Sequence, residues 1–319
     1  MTVSPAPQML PAVVQIGGLT PALDAELHRR YGTTVIPPAG QDPAALAAIG
    51  SGVRIAVTSG RAGVTAAMMD AWPNLGAIVT YGVGYEKTDV ARATARGVQI
   101  SYTPDVLTDC VADLAVGALI GVARRVAPAD RFVRSGDWQR GPFPLTTRVS
   151  GKRVGILGLG KIGRAIARRL AAFDMPISYH SRRIVESSEH RYVGSVRELA
   201  EECDFLVVAA SGGPESHEIV SADVLAALGP DGYLVNVSRG GLIDEAALVS
   251  ALTSGGIAGA ALDVFADEPR VPHALLALER VLLLPHVGSA TRETRAEMAQ
   301  LVIANIERFQ AEARLATPI

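Results

Sequence analysis

The sequence predicts an α/β protein made of two doubly wound parallel-sheet domains with a cleft between them, and three observations carry that expectation. Short β-rich runs alternate with helical stretches along the whole chain. In the second half of the chain the runs are continuously apolar rather than alternating, as strands covered by helices on both faces require. The series breaks once, at an apolar helix and a loop-like stretch near the middle, and then restarts. At 319 residues there is room for two ordinary domains, and 32 glycines with 49% hydrophobic residues suit buried strands joined by tight turns.

The first series opens with the strand "AVVQIGG" and a helix from about Pro21, with Thr20 as its N-cap. "TTVIPP" is the second strand. "DPAALAAIG" is a helix with Asp42 as cap and Pro43 at its first position, where the missing N–H has no partner to lose. "RIAVTS", the helical "VTAAMMDAW", "LGAIVTYG" and "GVQIS" complete a βα domain near residue 102. A helix over about 106–125 follows, and "SGDWQRGPFPLTTRVSGK" then reads as loop. The second series comprises "RVGILG", "PISYHS", "DFLVVAA", "YLVNVS", "AGAALDV" and "VLLLP". A last helix over about 291–313 lies beyond the final strand and is expected to pack back on the first domain.

A formal net charge of −2 argues against a nucleic-acid surface. The most apolar segment, "LAVGALIGVA", is too short to span a bilayer and is flanked by Asp109, Asp113, Arg124 and Arg125, so it reads as a buried helix. "MTVSPAPQMLPAVVQIGG" has neither a basic start nor a long apolar core, so no secretory leader is expected. Cys110 and Cys203 read as two buried thiols rather than a disulfide or a metal pair. The expectation is therefore a cytoplasmic protein without a metal.

"VGILGLGKIG" places a GxGxxG at Gly158, Gly160 and Gly163, between an apolar strand and a helix. That placement has a physical reason. Gly158 permits a tight turn, Gly160 lets the backbone approach a pyrophosphate, and Gly163 allows close helix–strand packing. The helix start supplies N–H groups and a partial positive charge to the phosphates. A bare glycine motif can be only a turn; in this setting it marks a dinucleotide site of the Rossmann type, with Gly158, Leu159, Gly160, Lys161, Ile162 and Gly163 as candidate contacts.

After the next strand an NAD site carries a carboxylate for the ribose hydroxyls. Here "ISYHSRR" puts His180 at that position, followed by Ser181, Arg182 and Arg183. Asp174 precedes the strand and Glu186 lies past the arginines, so neither replaces the acid. A solvated basic loop is the ordinary alternative. Recognition of a 2′-phosphate is preferred, since two charge-assisted contacts of about 1.5–3 kcal/mol each would favour NADP(H) over NAD(H) by roughly 10² to 10⁴.

Three polar residues follow otherwise apolar strands: Arg239 after "YLVNVS", Glu268 after "AALDVFAD" and His286 after "VLLLP". In an open parallel sheet those strand ends line the ligand crevice. An arginine can grip a carboxylate through a two-point fork, and a histidine oriented by a carboxylate can move a proton near neutral pH. Singly each has an ordinary explanation as a turn, loop or capping residue. Together, downstream of a nucleotide loop, they suit reduction of a carbonyl. In "YGVGYEKTDV", Gly82 and Gly84 form either an anion nest or a plain strand-to-helix turn.

"GILGLGKIG", "VNVSRGGLIDEAALVSAL", "GAALDVFADEP" and "LLLPHVGSATRETR" resemble the D-isomer-specific 2-hydroxyacid dehydrogenase family, and in particular its NADPH-dependent glyoxylate/hydroxypyruvate and hydroxyphenylpyruvate reductase branch. The resemblance covers most of the chain and is weakest over the first fifty residues. It implies a Rossmann cofactor domain over 103–286 and a flavodoxin-like substrate domain over 1–102 and 287–319. It implies Arg239 as the arginine that orients a small 2-oxo acid, His286 as acid/base and Glu268 as its partner. It further implies that Val83 and Gly84 offer N–H groups to the substrate carboxylate. Thr108 and Asp263 would approach the nicotinamide, with Val237, Ser238, Arg239, His286 and Gly288 completing the cofactor contacts. It implies a homodimer through the helical region, with Trp138 reaching the partner's site; from the residues alone Trp138 is equally a core or loop anchor. "AASGGPESHEIV" departs from the family's leucine- and threonine-rich turn, which leaves Ala210 and Ser211 unassigned. Other readings are an NAD-dependent relative such as phosphoglycerate dehydrogenase, which the arginine pair argues against, and a nucleotide-sensing corepressor, which the intact Arg239, Glu268 and His286 set argues against.

Overall fold

A computed structural model describes residues 12–38 and 43–319. The chain divides into two compact units, Met1–Val106 with Arg292–Ile319, and Leu107–Thr291.

The first unit begins β1 (Val13–Ile16), α1 (Pro21–Tyr31), β2 (Thr34–Ile36), α2 (Pro43–Ile49) and β3 (Ile55–Ser59). It continues α3 (Ala66–Ala71), β4 (Ala77–Tyr81), α4 (Val90–Ala95) and β5 (Gln99–Ser101). All pairings are parallel, in the order β2-β1-β3-β4-β5, which is the flavodoxin-like order. The inner strands β1 and β4 are buried at every residue, whereas the outer strand β2 exposes Thr34 and Val35. α1 starts as its sequence dictates: Pro21 opens it and Thr20 Oγ1 accepts from the Leu23 N–H at 3.3 Å. Pro43 does open α2, while the Asp42 cap lies outside the described residues. Trp72 anchors the core, fully buried against Met68 and Met69, with its Nε1–H donated to the Leu46 carbonyl at 3.1 Å.

The second unit begins with α5 (Thr108–Ala123) and α6 (Val126–Arg134). Then come β6 (Val154–Leu157), α7 (Lys161–Ala171), β7 (Ile177–His180), β8 (Arg191–Tyr192), α8 (Val196–Glu201) and β9 (Phe205–Val208). α9 (Ala222–Leu228), β10 (Tyr233–Asn236), α10 (Glu245–Ser254), β11 (Gly259–Leu262), α11 (His273–Leu276) and β12 (Val281–Leu283) complete it. Its sheet is again wholly parallel, β12-β11-β10-β9-β6-β7-β8. Counted from β6, that is the Rossmann order with one further strand: β7 and β8 are added on one side of β6 and β9 to β12 on the other, so the strand order switches between β6 and β9 while all strands stay parallel. In such a sheet that switch is where a ligand crevice opens at the carboxyl ends.

α12 (Arg292–Glu312) belongs to the first unit and packs on β4. Among the described residues no helix is long and apolar enough to cross a membrane.

α6 and β8 are among the elements that the sequence reading does not name. α6 occupies a stretch with no expected element, because Arg125 turns the chain in a left-handed conformation (φ 49°) and Pro128 sits harmlessly in the new helix's first turn. β8 is a two-residue edge strand beside β7. One expectation is corrected: Cys203 is buried, but Cys110 is only half-buried, because it lies in the first turn of α5 with Sγ 3.7 Å from Thr291 Oγ1.

Candidate active site

The second unit collects its polar residues at the carboxyl ends of its strands. The glycine loop leaves β6, whose neighbours are β7 and β9. Gly158 has φ 96°, and a Cβ there would lie 2.5 Å from the Ala210 backbone. A Cβ on Gly163 would meet the Gly158 carbonyl oxygen at 2.1 Å, so helix α7 can sit this close only with glycine. Gly160 differs: nothing lies within 4 Å of its Cβ position, and it caps α7 without a side-chain hydrogen bond. Open space at an uncapped helix start fits a pyrophosphate, and a side chain at Gly160 would fill it. Leu159 is buried beneath this turn, while Lys161 is exposed and Ile162 half-buried.

At the end of β7, the His180 ring is engaged elsewhere: Nδ1 lies 2.8 Å from the Val193 carbonyl oxygen and the ring stacks on Tyr192. Ser181 Oγ donates to the Arg183 carbonyl at 2.7 Å, which shapes the turn. Arg182 and Arg183 are exposed, and Arg182 Nη1 lies 3.6 Å from Glu215 Oε2. Glu215 comes from the turn after β9 that departs from the family pattern, a neighbour the sequence did not reveal. Within that turn Ser216 Oγ donates to the Ser211 carbonyl at 3.1 Å.

The β10 turn is bound more tightly. Ser238 Oγ donates to the Ala210 carbonyl, joining it to the glycine-loop wall. Val237 is buried and Arg239 half-buried, with Nη1 donating to the Ser238 carbonyl at 2.8 Å. A Cβ on Gly240 would fall 1.9 Å from the Phe265 carbonyl carbon, so the Arg239 turn presses directly on the backbone that leads to Glu268.

His286 and Glu268, eighteen positions apart, meet: His286 Nδ1 lies 2.7 Å from Glu268 Oε2. Glu268 Oε1 accepts from the Phe265 N–H at 3.3 Å, which fixes the carboxylate plane. The ring therefore keeps Nε2 for another partner. His286 has φ 55°, in the left-handed region that few non-glycine residues adopt. Asp263 explains how it is held there. Its carboxylate, 2% exposed, accepts from the Val287 N–H at 2.7 Å and the Gly288 N–H at 2.8 Å. Burial pushes the Asp263 carboxyl above its ordinary value, opposed by those two N–H bonds and by the His286 ring. A Cβ on Gly288 would lie 3.1 Å from Asp263 Oδ2 and 3.4 Å from Val111, which places the first turn of α5, with half-buried Thr108, beside this loop.

Val83 and Gly84 belong to the first unit, in the loop after β4. Gly82 exchanges hydrogen bonds with Thr103, its N–H with Oγ1 at 3.0 Å and its carbonyl with the Thr103 N–H at 2.9 Å. Trp138 lies in a short 3₁₀ turn and is 66% exposed, so it is not a core residue.

A Rossmann sheet, a glycine loop with an open helix start and a carboxylate-held histidine together define a dinucleotide-linked oxidoreductase. The chain belongs to the D-isomer specific 2-hydroxyacid dehydrogenase family, whose NAD binding domain matches residues 116–288. It is 48% identical over 299 residues to hydroxyphenylpyruvate reductase of Plectranthus scutellarioides, covering 93% of this chain and 95% of that protein. It is 43% identical over 297 residues to glyoxylate/hydroxypyruvate reductase A of Arabidopsis thaliana, with 93% and 95% covered. Among solved structures, the NADPH-dependent glyoxylate/hydroxypyruvate reductase of Sinorhizobium meliloti, in complex with NADP and malonate, superimposes with a TM-score of 0.91 at 42% identity over 97% of each chain.

Proposed function

We propose that this protein reduces small 2-oxo acids to D-2-hydroxy acids with NADPH, glyoxylate and hydroxypyruvate being the first substrates and a phenylpyruvate-type acid a further one. The observation that carries the reading is the 2.7 Å contact between His286 and Glu268 at the strand ends of a dinucleotide-binding domain. The named reductases among its relatives support the substrate class.

In this reading residues 103–286 hold the dinucleotide, and residues 1–102 with 287–319 hold the substrate. The dinucleotide, when bound, supplies the hydride. Gly158, Leu159, Gly160, Lys161, Ile162 and Gly163 cradle its phosphates. Ser181, Arg182 and Arg183 take the 2′-phosphate and set the preference for NADP(H) over NAD(H). Val237, Ser238, Thr108, Asp263 and Gly288 border the nicotinamide side. Val83 and Gly84 offer their N–H groups to the substrate carboxylate, and Arg239 grips the oxo acid through its fork. His286, its Nδ1 turned to Glu268, delivers a proton from Nε2 to the oxygen that becomes the hydroxyl. Proton and hydride together account for the two hydrogens gained by the carbonyl.

The protein works as a homodimer in the cytoplasm. Exposed Val126, Val133 and Trp138 around α6, a helix with no buried residue, support the dimer through that region. The free thiols Cys110 and Cys203 suit a reducing compartment.

The test is NADPH oxidation by the purified protein with glyoxylate, hydroxypyruvate and phenylpyruvate, with chiral analysis of the product. Turnover to the D-isomer is expected. Absence of turnover with all three, alongside intact nucleotide binding, would favour a binding protein instead.

A further inference from the structure

We infer that Asn236 is a positioning residue for Arg239, acting through the backbone of the turn between them. β10 is apolar until its last residue, where Asn236 is wholly buried. A buried amide must spend its donors and acceptor inside the protein. Asn236 Oδ1 accepts from the Ser238 N–H at 3.0 Å, and Asn236 Nδ2 donates to the Arg239 carbonyl at 3.0 Å. One planar amide therefore clamps the Ser238–Arg239 segment of the turn at its leading N–H and its trailing carbonyl. Its backbone carbonyl is used as well, accepting from the Asp263 N–H at 2.9 Å. The same residue thus ties the Arg239 turn to the strand end that carries Asp263, the acceptor for the His286 loop.

The chemistry singles out asparagine. The clamp needs an acceptor aimed at an N–H and a donor aimed at a carbonyl, at one side-chain length from the strand. An aspartate at that place has no N–H to donate, a serine is too short to reach the Arg239 carbonyl, and a leucine offers neither group. The other face of the turn cannot move to compensate, because Gly240 already presses on the Phe265 backbone. Removing the clamp lets the Arg239 fork drift, and a shift of about 1 Å at a substrate-orienting group can cost on the order of 10²-fold in rate.

This inference rests on the reading of Arg239 as the residue that grips the 2-oxo acid. A double-mutant cycle in the full-length protein separates the two, with kcat and KM for hydroxypyruvate and the Kd for NADPH measured for Asn236→Ala, Asn236→Asp, Arg239→Ala and Asn236→Ala/Arg239→Ala. Asn236→Ala is expected to lower kcat/KM by about 10- to 100-fold in the wild-type background, mostly through KM, with NADPH binding kept. In the Arg239→Ala background the same change should alter kcat/KM by less than about threefold, because the residue it positions is gone. Asn236→Asp, similar in shape, should resemble Asn236→Ala. Equal losses in both backgrounds would overturn the positioning role and leave a general structural one. Should Asn236→Ala unfold the protein, Asn236→Asp carries the same cycle. If Arg239→Ala alone leaves kcat/KM unchanged, the reading of Arg239 itself fails.

Discussion

Cofactor choice is the property most open to direct measurement. Arg182→Ala/Arg183→Ala removes both cations from the turn after β7 while leaving Ser181 and the β7 ladder in place. Sheltered charge-assisted contacts would give a selectivity of roughly 10² to 10⁴. The structure reduces that figure. Arg182 is 80% exposed along its side chain and already faces Glu215 at 3.6 Å, so a phosphate must compete with water and with a carboxylate. Exposed ion pairs are worth about 0.2–1 kcal/mol. Taking about 1 kcal/mol for each arginine against a doubly charged phosphate gives about 2 kcal/mol, or about 30-fold. The assay is the ratio of kcat/KM for NADPH to that for NADH, at low salt and at physiological salt. The variant should lose about 30-fold of the ratio at low salt and less at higher salt, where charges are screened beyond about 8 Å. An unchanged ratio would refute the assignment of these arginines to the 2′-phosphate, whatever the activity.

Asp263→Asn leaves one of the Val287 and Gly288 N–H groups facing an amide nitrogen, so the His286 loop loosens and kcat should fall by about tenfold or more. Because burial makes the charged carboxylate costly there, the neutral variant recovers part of what the lost bond removes, and Tm should shift by no more than about 2–4 °C; a Tm collapse with normal kcat in the folded fraction would contradict this. Burial lifts the Cys203 thiol from 9.0 to about 12. The unfolded thiol ionises near 9.0 while the folded one keeps its proton, so the associated stability is complete below that pH and is lost as pH rises toward about 12. Urea melts should therefore show a decline of up to about 1.4 kcal/mol per pH unit that Cys203→Ala lacks, and parallel declines in both proteins would remove Cys203 as the cause.

Much of the sheet architecture was readable because parallel strands buried on both faces, such as β6, β9 and β11, are continuous apolar runs bounded by turns. The glycine loop was readable for the related reason that close approach excludes side chains at Gly158 and Gly163. α6 is not legible in the sequence because Pro128 and a mixed charge pattern suggest a break, and nothing on the helix is buried to mark a face. β8 is too short to carry a pattern. In the site, the residue types at the strand ends drew attention to Arg239, Glu268 and His286, but no spacing rule tells that positions 268 and 286 touch. Glu215 and Asn236 show the remaining limit. The first meets Arg182 only through the tertiary placement of two loops. The second had a visible signal, a polar residue ending an apolar strand, yet its role lies in two hydrogen bonds that only coordinates display.

The central claim is that His286, held by Glu268, gives the proton that completes reduction. His286→Asn tests it most directly, since asparagine tolerates the left-handed backbone at φ 55° but cannot donate a proton as an acid. Fluorescence titration should show NADPH binding within about threefold of wild type, while single-turnover oxidation of bound NADPH by hydroxypyruvate should slow by about 10²–10⁴. Single-turnover rates equal to those of the wild type, with the nucleotide bound, would contradict the account.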